Sequence, residues 1–423
     1  MAIEISDGVT LHLIKDNKFK TNFISFSFIT KLKRENITKN VLLPLVLRRG
    51  NVNLPTMKEM SKKLDDMYGA SLDAKSEKKG DNISLSINIE TISNEYALED
   101  IDLLQEAINL IKDFVFNPIL ENGHFKDEFV NQEKETLKEL INSKINDKAQ
   151  YSVDRAIEEM FNKEPYGIYK YGYVEDLDSI NSTNLYEQYL ELINTSKVEI
   201  FVNGTFDEEN VKKQITEIFS NINREYNEQN YIKITERNVI NKELNKEINI
   251  IENQDVIQGK FVLGYRCKNI DLIKDNYKMS LYSAILGGTA SSKLFLNVRE
   301  KLSLAYTIRS LYITSKGAVL ISAGIENQNF EVCREATLKE IENIKIGNVT
   351  NEELEAAKAN YITSLKSIND SQQAMCTFIL NQELFGLETD LSLIIEKINQ
   401  VSLEEIIEIA NKLEIQLSYF LTK

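Results

Sequence analysis

In this chain of 423 residues, histidines and cysteines, the side chains most often used for metal, acid–base and nucleophilic chemistry, are few. There are two histidines, His12 and His124, far apart in sequence. His12 lies in the alternating stretch VTLHLIK, which reads as a strand, and His124 lies in the loop-like LENGHFKD. A His-rich metal centre needs several imidazoles, and a catalytic triad needs one beside a nucleophile. Both histidines are therefore expected to be ordinary surface or half-buried imidazoles. Three cysteines, Cys267, Cys333 and Cys376, share no metal spacing and cannot all pair, so they read as reduced, buried thiols. Glu133, Glu135 and Glu139 fall in one helical stretch, a pattern that usually marks a solvated face. Gly287 and Gly288 are a weak candidate for cradling phosphate, since two glycines after a helix usually form a C-cap.

One segment has chemistry conspicuously missing. TKNVLLPLVLRRGN, residues 38–51, reads as a helix with Thr38 or Asn40 as its cap. Val41, Leu42, Leu45 and Val46 form its apolar face, Arg48 and Arg49 its last turn, and Gly50 its stop. Pro44 sits inside, where a helix interior loses roughly 3 kcal/mol. A start near Asn40 would bring Pro44 close to the first turn, where little hydrogen bonding is lost.

The surrounding elements occur in an order that is repeated. TNFISFSFIT reads as a strand, followed by the helix just described, a second helix and a hairpin, ASLDAKSEKKGDNISLSINIE. Further helices lead to the closing strand KVEIFVNG. In the second half the strand GKFVLGYRC precedes the helices NYKMSLYSAILGG and SSKLFLNVREKL. The hairpin LAYTIRSLYITSKGAVLISAGIE follows, with Gly317 placed like Gly80, then more helices and the strand QLSYFL. The expectation is an α+β chain of two duplicated half-domains, each a mostly antiparallel sheet with helices packed on one face. The halves are expected at 1–220 and 248–423, joined by a polar linker at 221–247 with some strand in YIKIT.

A formal net charge of −15 argues against nucleic acid and against an anionic membrane as partners. The N-terminus shows no basic region followed by an apolar stretch, so no secretory signal is read and a cytoplasmic location is expected.

This order of elements, together with LGGTASSKLFLNVREKLSLAYTI, resembles the pitrilysin/insulinase metallopeptidases over essentially the whole chain. The best-matched stretch runs from Gly287 to Tyr306; FNP at Phe116–Pro118 and YGASLDA at Tyr68–Ala74 also look like family segments. Active members carry H-x-x-E-H on the first helix of the first half, two histidines for zinc and a glutamate as general base. The resemblance places Val41 and Leu45 at the histidine positions, Pro44 at the glutamate, and a later metal ligand near Asn131. Val and Leu offer no lone pair, Pro no carboxylate, and Asn is a poor zinc ligand. It thus implies a bacterial member with no catalytic residue and no metal of its own, zinc being expected only in a partner subunit. Arg299 and Tyr306 match the family's arginine and tyrosine, thought to hold the substrate backbone and the oxyanion.

The implied function is that of a non-catalytic subunit pairing with a zinc-bearing homologue, or with itself, around a peptide-degrading or processing chamber. A structural or peptide-binding protein without proteolysis is the first alternative. A zinc endopeptidase active on its own is the second.

Overall fold

The computed structural model describes residues 2–232, 239–240 (backbone only) and 247–423. The expected linker at 221–247 lies in part outside the described residues, as does most of the strand expected in YIKIT. Among the described residues no helix is long and apolar enough to cross a membrane.

In the first half the elements are β1 (Ala2–Ser6), β2 (Val9–Lys15), β3 (Thr21–Lys31), α1 (Ile37–Leu47), α2 (Met57–Asp66), β4 (Ser71–Lys79) and β5 (Asn82–Ile92). They continue with α3 (Leu103–Phe116), a small hairpin of β6 (Leu120–Glu121) and β7 (His124–Phe125), and α4 (Asp127–Asn142). Then come α5 (Lys148–Met160), α6 (Ser182–Thr195), β8 (Lys197–Gly204) and α7 (Glu208–Ser220). The second half begins with β9 (Val239–Ile240), β10 (Ile248–Asn253), β11 (Gly259–Cys267), β12 (Ile270–Asp271) and α8 (Asn276–Ser283). It continues with β13 (Ala305–Ile313), β14 (Ala318–Ile325), α9 (Phe330–Lys345), α10 (Asn351–Ser367) and α11 (Gln372–Phe385). It closes with α12 (Leu391–Gln400), α13 (Leu403–Lys412) and β15 (Leu413–Thr422). Helices α7 and α12 were not legible in the order of the repeat.

Each half builds a mostly antiparallel sheet, and the two sheets share a plan. The six-stranded sheet has the order β1-β2-β8-β3-β5-β4, and the five-stranded sheet β10-β15-β11-β14-β13. The closing strand of each half pairs parallel on one side, β8 with β2 and β15 with β10. On its other side it pairs antiparallel, β8 with β3 and β15 with β11. The hairpin glycines match as well, Gly80 at φ 62° and Gly317 at φ 56°, a left-handed turn conformation that glycine adopts without steric cost.

Alternation along the strands sorts the faces of the first sheet. Ile24, Phe26 and Phe28 of β3 join Ile83, Leu85, Ile87 and Ile89 of β5 in the core under the helices. The opposite face carries Ser25, Ser27, Ser86 and Asn88, with Ser27 Oγ and Ser86 Oγ 2.9 Å apart. Two segments differ from the expected halves. By its contacts the first unit comprises Met1–Asn142, Ile168–Ile232 and Gln372–Leu380; the second comprises Ser143–Gly167, Lys233–Ser371 and Asn381–Lys423. The cause is burial. Val153, Ala156 and Met160 of α5 bury with Val262, Leu320, Leu417 and Tyr419 of the second sheet. Gln372, at the start of α11, donates to the carbonyls of Thr21 and Asn203 in the first.

Candidate functional site

Helix α1 begins at Ile37 with Asn36 as its N-cap, so neither Thr38 nor Asn40 caps it, and Pro44 lies well inside it. The expectation that Pro44 falls near the first turn is therefore corrected. Proline cannot donate to the carbonyl of Asn40, and Ser76 Oγ of β4 takes over, donating to that oxygen at 2.6 Å. The helix is apolar nearly all round because it is buried nearly all round.

That burial decides the fit to zinc. Val41 and Pro44 are buried and Leu45 is half-buried, and none offers a donor atom. Asn131 points outward from α4, exposed. The residue of α4 that turns inward is Glu133, 7% exposed, whose carboxylate accepts from Arg49 Nε at 2.5 Å. Glu133 is thus not part of a solvated face, while Glu135 and Glu139 are exposed. Arg49 already neutralises the carboxylate that faces α1. Among the described residues no three of His, Cys, Asp and Glu gather as a metal site. The residues present do not fit zinc.

His12 is buried rather than at or near the surface. Its ring stacks on Phe201 at 4.3 Å, and Nε2 lies 2.6 Å from Glu199 Oε2, a carboxylate also paired with Lys197 at 2.6 Å. His124 is half-buried in β7, not in a loop, its Nδ1 2.9 Å from the carbonyl of Phe125. Burial raises the Cys267 and Cys376 thiols to about 12 and Cys333 to about 11, which makes them poor nucleophiles.

In the second unit Arg299 and Tyr306 are brought together. The helix expected at SSKLFLNVREKL is wide instead of regular: Leu294–Lys301 is π-helical, and Leu302 N–H reaches back to the Asn297 carbonyl at 3.1 Å. Gly288 ends an earlier wide turn, Ala284–Gly288, and a Cβ on Gly287 would come within 2.7 Å of the Ser310 nitrogen. Gly287 lets the chain press on β13. Arg299 lies over the Phe295 ring at 4.5 Å and donates from Nε to the Tyr306 carbonyl at 3.1 Å. The register of β13 against β14 shifts between Ala305 and Thr307, so Tyr306 sits at a bulge, a device that re-aims a side chain. It is 57% exposed and donates to Glu326 Oε1 at 3.1 Å, a hydrogen bond that raises its phenol above the usual range.

Both residues line a cleft of about 530 Å³ within this unit, with Lys260, Phe295 and Arg309, beside Gln150 at the start of α5. Lys260 and Arg309 were missed in the sequence. A strand glycine, Gly324 in LISAGIE, was the available signal, because glycine in a strand often marks a close approach.

Over 414 residues the chain is 31% identical to a probable inactive metalloprotease of Bacillus subtilis, covering 98% of this chain and 96% of that protein. The chain belongs to the M16, or pitrilysin/insulinase-type, peptidase family. The description "Peptidase M16 inactive domain" matches residues 179–361 of this M16 chain. A conserved protein from Enterococcus faecalis V583 is similar in structure, with a TM-score of 0.89 and 28% identity, over 100% of this chain and 98% of that one. A protease from Helicobacter pylori shares the fold at 16% identity, with a TM-score of 0.78 over 100% and 99% of the two chains.

Proposed function

We propose that this M16 chain is a non-catalytic subunit that pairs with a zinc-bearing homologue, or with itself, and offers Arg299 and Tyr306 to a bound peptide. One contrast carries the reading. Val41, Pro44 and Leu45 supply no zinc donor, while Arg299 and Tyr306 stand side by side on an open cleft. A guanidinium and a phenol are suited to donate to a peptide carbonyl as it gains negative charge. Zinc, and the water it activates, would come from the partner. The buried thiols and the net charge of −15 support a cytoplasmic setting without nucleic acid. The test is to mix the chain with a homologue bearing H-x-x-E-H. Co-elution and raised, chelator-sensitive peptidase activity are expected; separate elution with unchanged activity overturns the reading.

A second reading, peptide holding without proteolysis, has one observation in its favour. Arg299 Nε is engaged by the Tyr306 carbonyl and the Tyr306 hydroxyl by Glu326. Under it, Arg299→Ala and Tyr306→Phe would leave a partner's turnover unchanged. A zinc endopeptidase acting alone gains no support from residues that do not fit the metal.

A further inference from the structure

In this chain of net charge −15, several cations are held by part-buried carboxylates. Glu164 holds both Arg266, at 2.6 Å, and Lys316, at 3.1 Å. Arg155 is shared among Glu158, Glu159 and Glu252. In the cleft of the second unit the cations are held differently. Lys260 Nζ contacts the side-chain oxygen of Gln258, and Arg309 Nε lies 3.3 Å from Ser322 Oγ; both partners are uncharged. Arg299 adds a third cation, shared with the exposed Glu300 at 3.4 Å. Against these stands Asp147, whose Oδ1 already accepts from the Ala149 and Gln150 N–H groups at 3.0 Å.

The sheet register shows how the cations are displayed. Lys260 pairs with Gly324, Gly324 with Thr307, and Ser322 with Arg309, so all five side-chain positions share one face. A Cβ on Gly324 would lie 2.9 Å from Lys260 Nζ and 3.0 Å from Thr307 Oγ1, so only glycine lets the lysine lie across the strand. Lys260 Nζ reaches over Gly324 and Arg309 Nε lies beside Ser322. Both cations thus reach onto β14 at positions two residues apart, about 7 Å along that strand, the spacing of alternate residues in an extended peptide. Partial burial, only partly offset by Asp147, holds the Lys260 ammonium below the ordinary lysine range, and an arriving anion would relieve that cost.

We infer that this cleft binds an acidic, extended peptide, with side-chain carboxylates at alternate positions meeting Lys260 and Arg309. The inference rests on the peptide-binding reading of the same site and specifies the class of peptide. The net charge of −15 taken alone would favour basic peptides, but the local cations of the cleft decide the preference.

The experiment uses the full chain and fluorescence anisotropy with three labelled decapeptides carrying Glu, Gln or Lys at alternate positions in a Ser/Thr background. The Glu peptide is expected to bind about tenfold or more tighter than the Gln peptide, the scale of one charge-assisted hydrogen bond. Binding should weaken with salt, and Lys260→Gln with Arg309→Gln should abolish the preference while circular dichroism stays unchanged. Arg309→Gln alone, at an exposed position, serves if the double variant misfolds. If Gln or Lys peptides bind as tightly as Glu peptides, the acidic preference is wrong and peptide binding stands. If none of the peptides binds, the peptide-binding reading falls with it.

Discussion

Ser76 Oγ donates to the main-chain carbonyl of Asn40, the oxygen left without its helical donor because residue 44 is proline. A proline in the middle of a buried helix is thus tolerated because a side chain on a neighbouring strand replaces the missing N–H. Ser76→Ala is expected to cost about 1–3 kcal/mol by leaving that buried carbonyl unsatisfied. In a Pro44→Ala background, which restores the N–H, the loss should shrink. Urea unfolding of the four proteins gives the coupling; equal losses in both backgrounds would show that Ser76 contributes nothing to the proline's accommodation.

Rebuilding the family motif should not rebuild a metal site. Val41→His, Pro44→Glu and Leu45→His together would put polar groups where Val41 and Pro44 are buried, at a cost of about 1–3 kcal/mol for each unsatisfied group. Glu133 would remain tied to Arg49. The triple variant is expected to be less stable and to hold no zinc after dialysis. Stoichiometric zinc by elemental analysis would contradict this account of the helix.

Glu164 should give the second unit an acid-sensitive clasp. Burial pushes its carboxyl up, but Lys316 and Arg266 outweigh that and hold it at about 2. A folded pKa below the unfolded value of about 4.3 means the contribution is complete above that pH and fades as pH falls toward 2. Glu164→Gln should therefore be less stable than the parent at neutral pH, with the gap narrowing through the acid range. A gap that stays constant from neutral to acid pH, in denaturant midpoints, would remove the carboxylate from this role.

Tyr306→Phe and Arg299→Ala should leave folding intact, since Tyr306 is mostly exposed, and lower the turnover of an assembled zinc-bearing partner. A loss of about tenfold to a thousandfold is expected if either group donates to the developing oxyanion. Turnover within twofold of the parent, with pairing preserved, would favour the peptide-holding reading.

Strand alternation carried most of the fold: GKFVLGYRC and KVEIFVNG coincide with β11 and β8, and the matched hairpin glycines share their backbone conformation. Those signals are local. What was illegible depends on distant partners, such as Ser76 reaching Asn40 or Arg49 turning Glu133 inward where Asn131 was expected. Tyr306 and Arg299 were singled out through a continuous motif. Lys260 and Arg309 come from β11 and β13, which flank β14 on its two sides, and no spacing in the sequence announces that.

The crossing of Gln372–Leu380 into the first unit also sets a timetable for synthesis. Domains usually fold as they leave the ribosome, the N-terminal one first. Here the first unit is assembled from strands made early and a clasp made late, since Gln372 must reach Thr21 across 351 positions of chain. Its polar face waits uncovered while most of the second unit is translated. A nascent chain stalled before residue 372 should accordingly remain protease-sensitive in β3 and β8, and one stalled well past residue 380 should not.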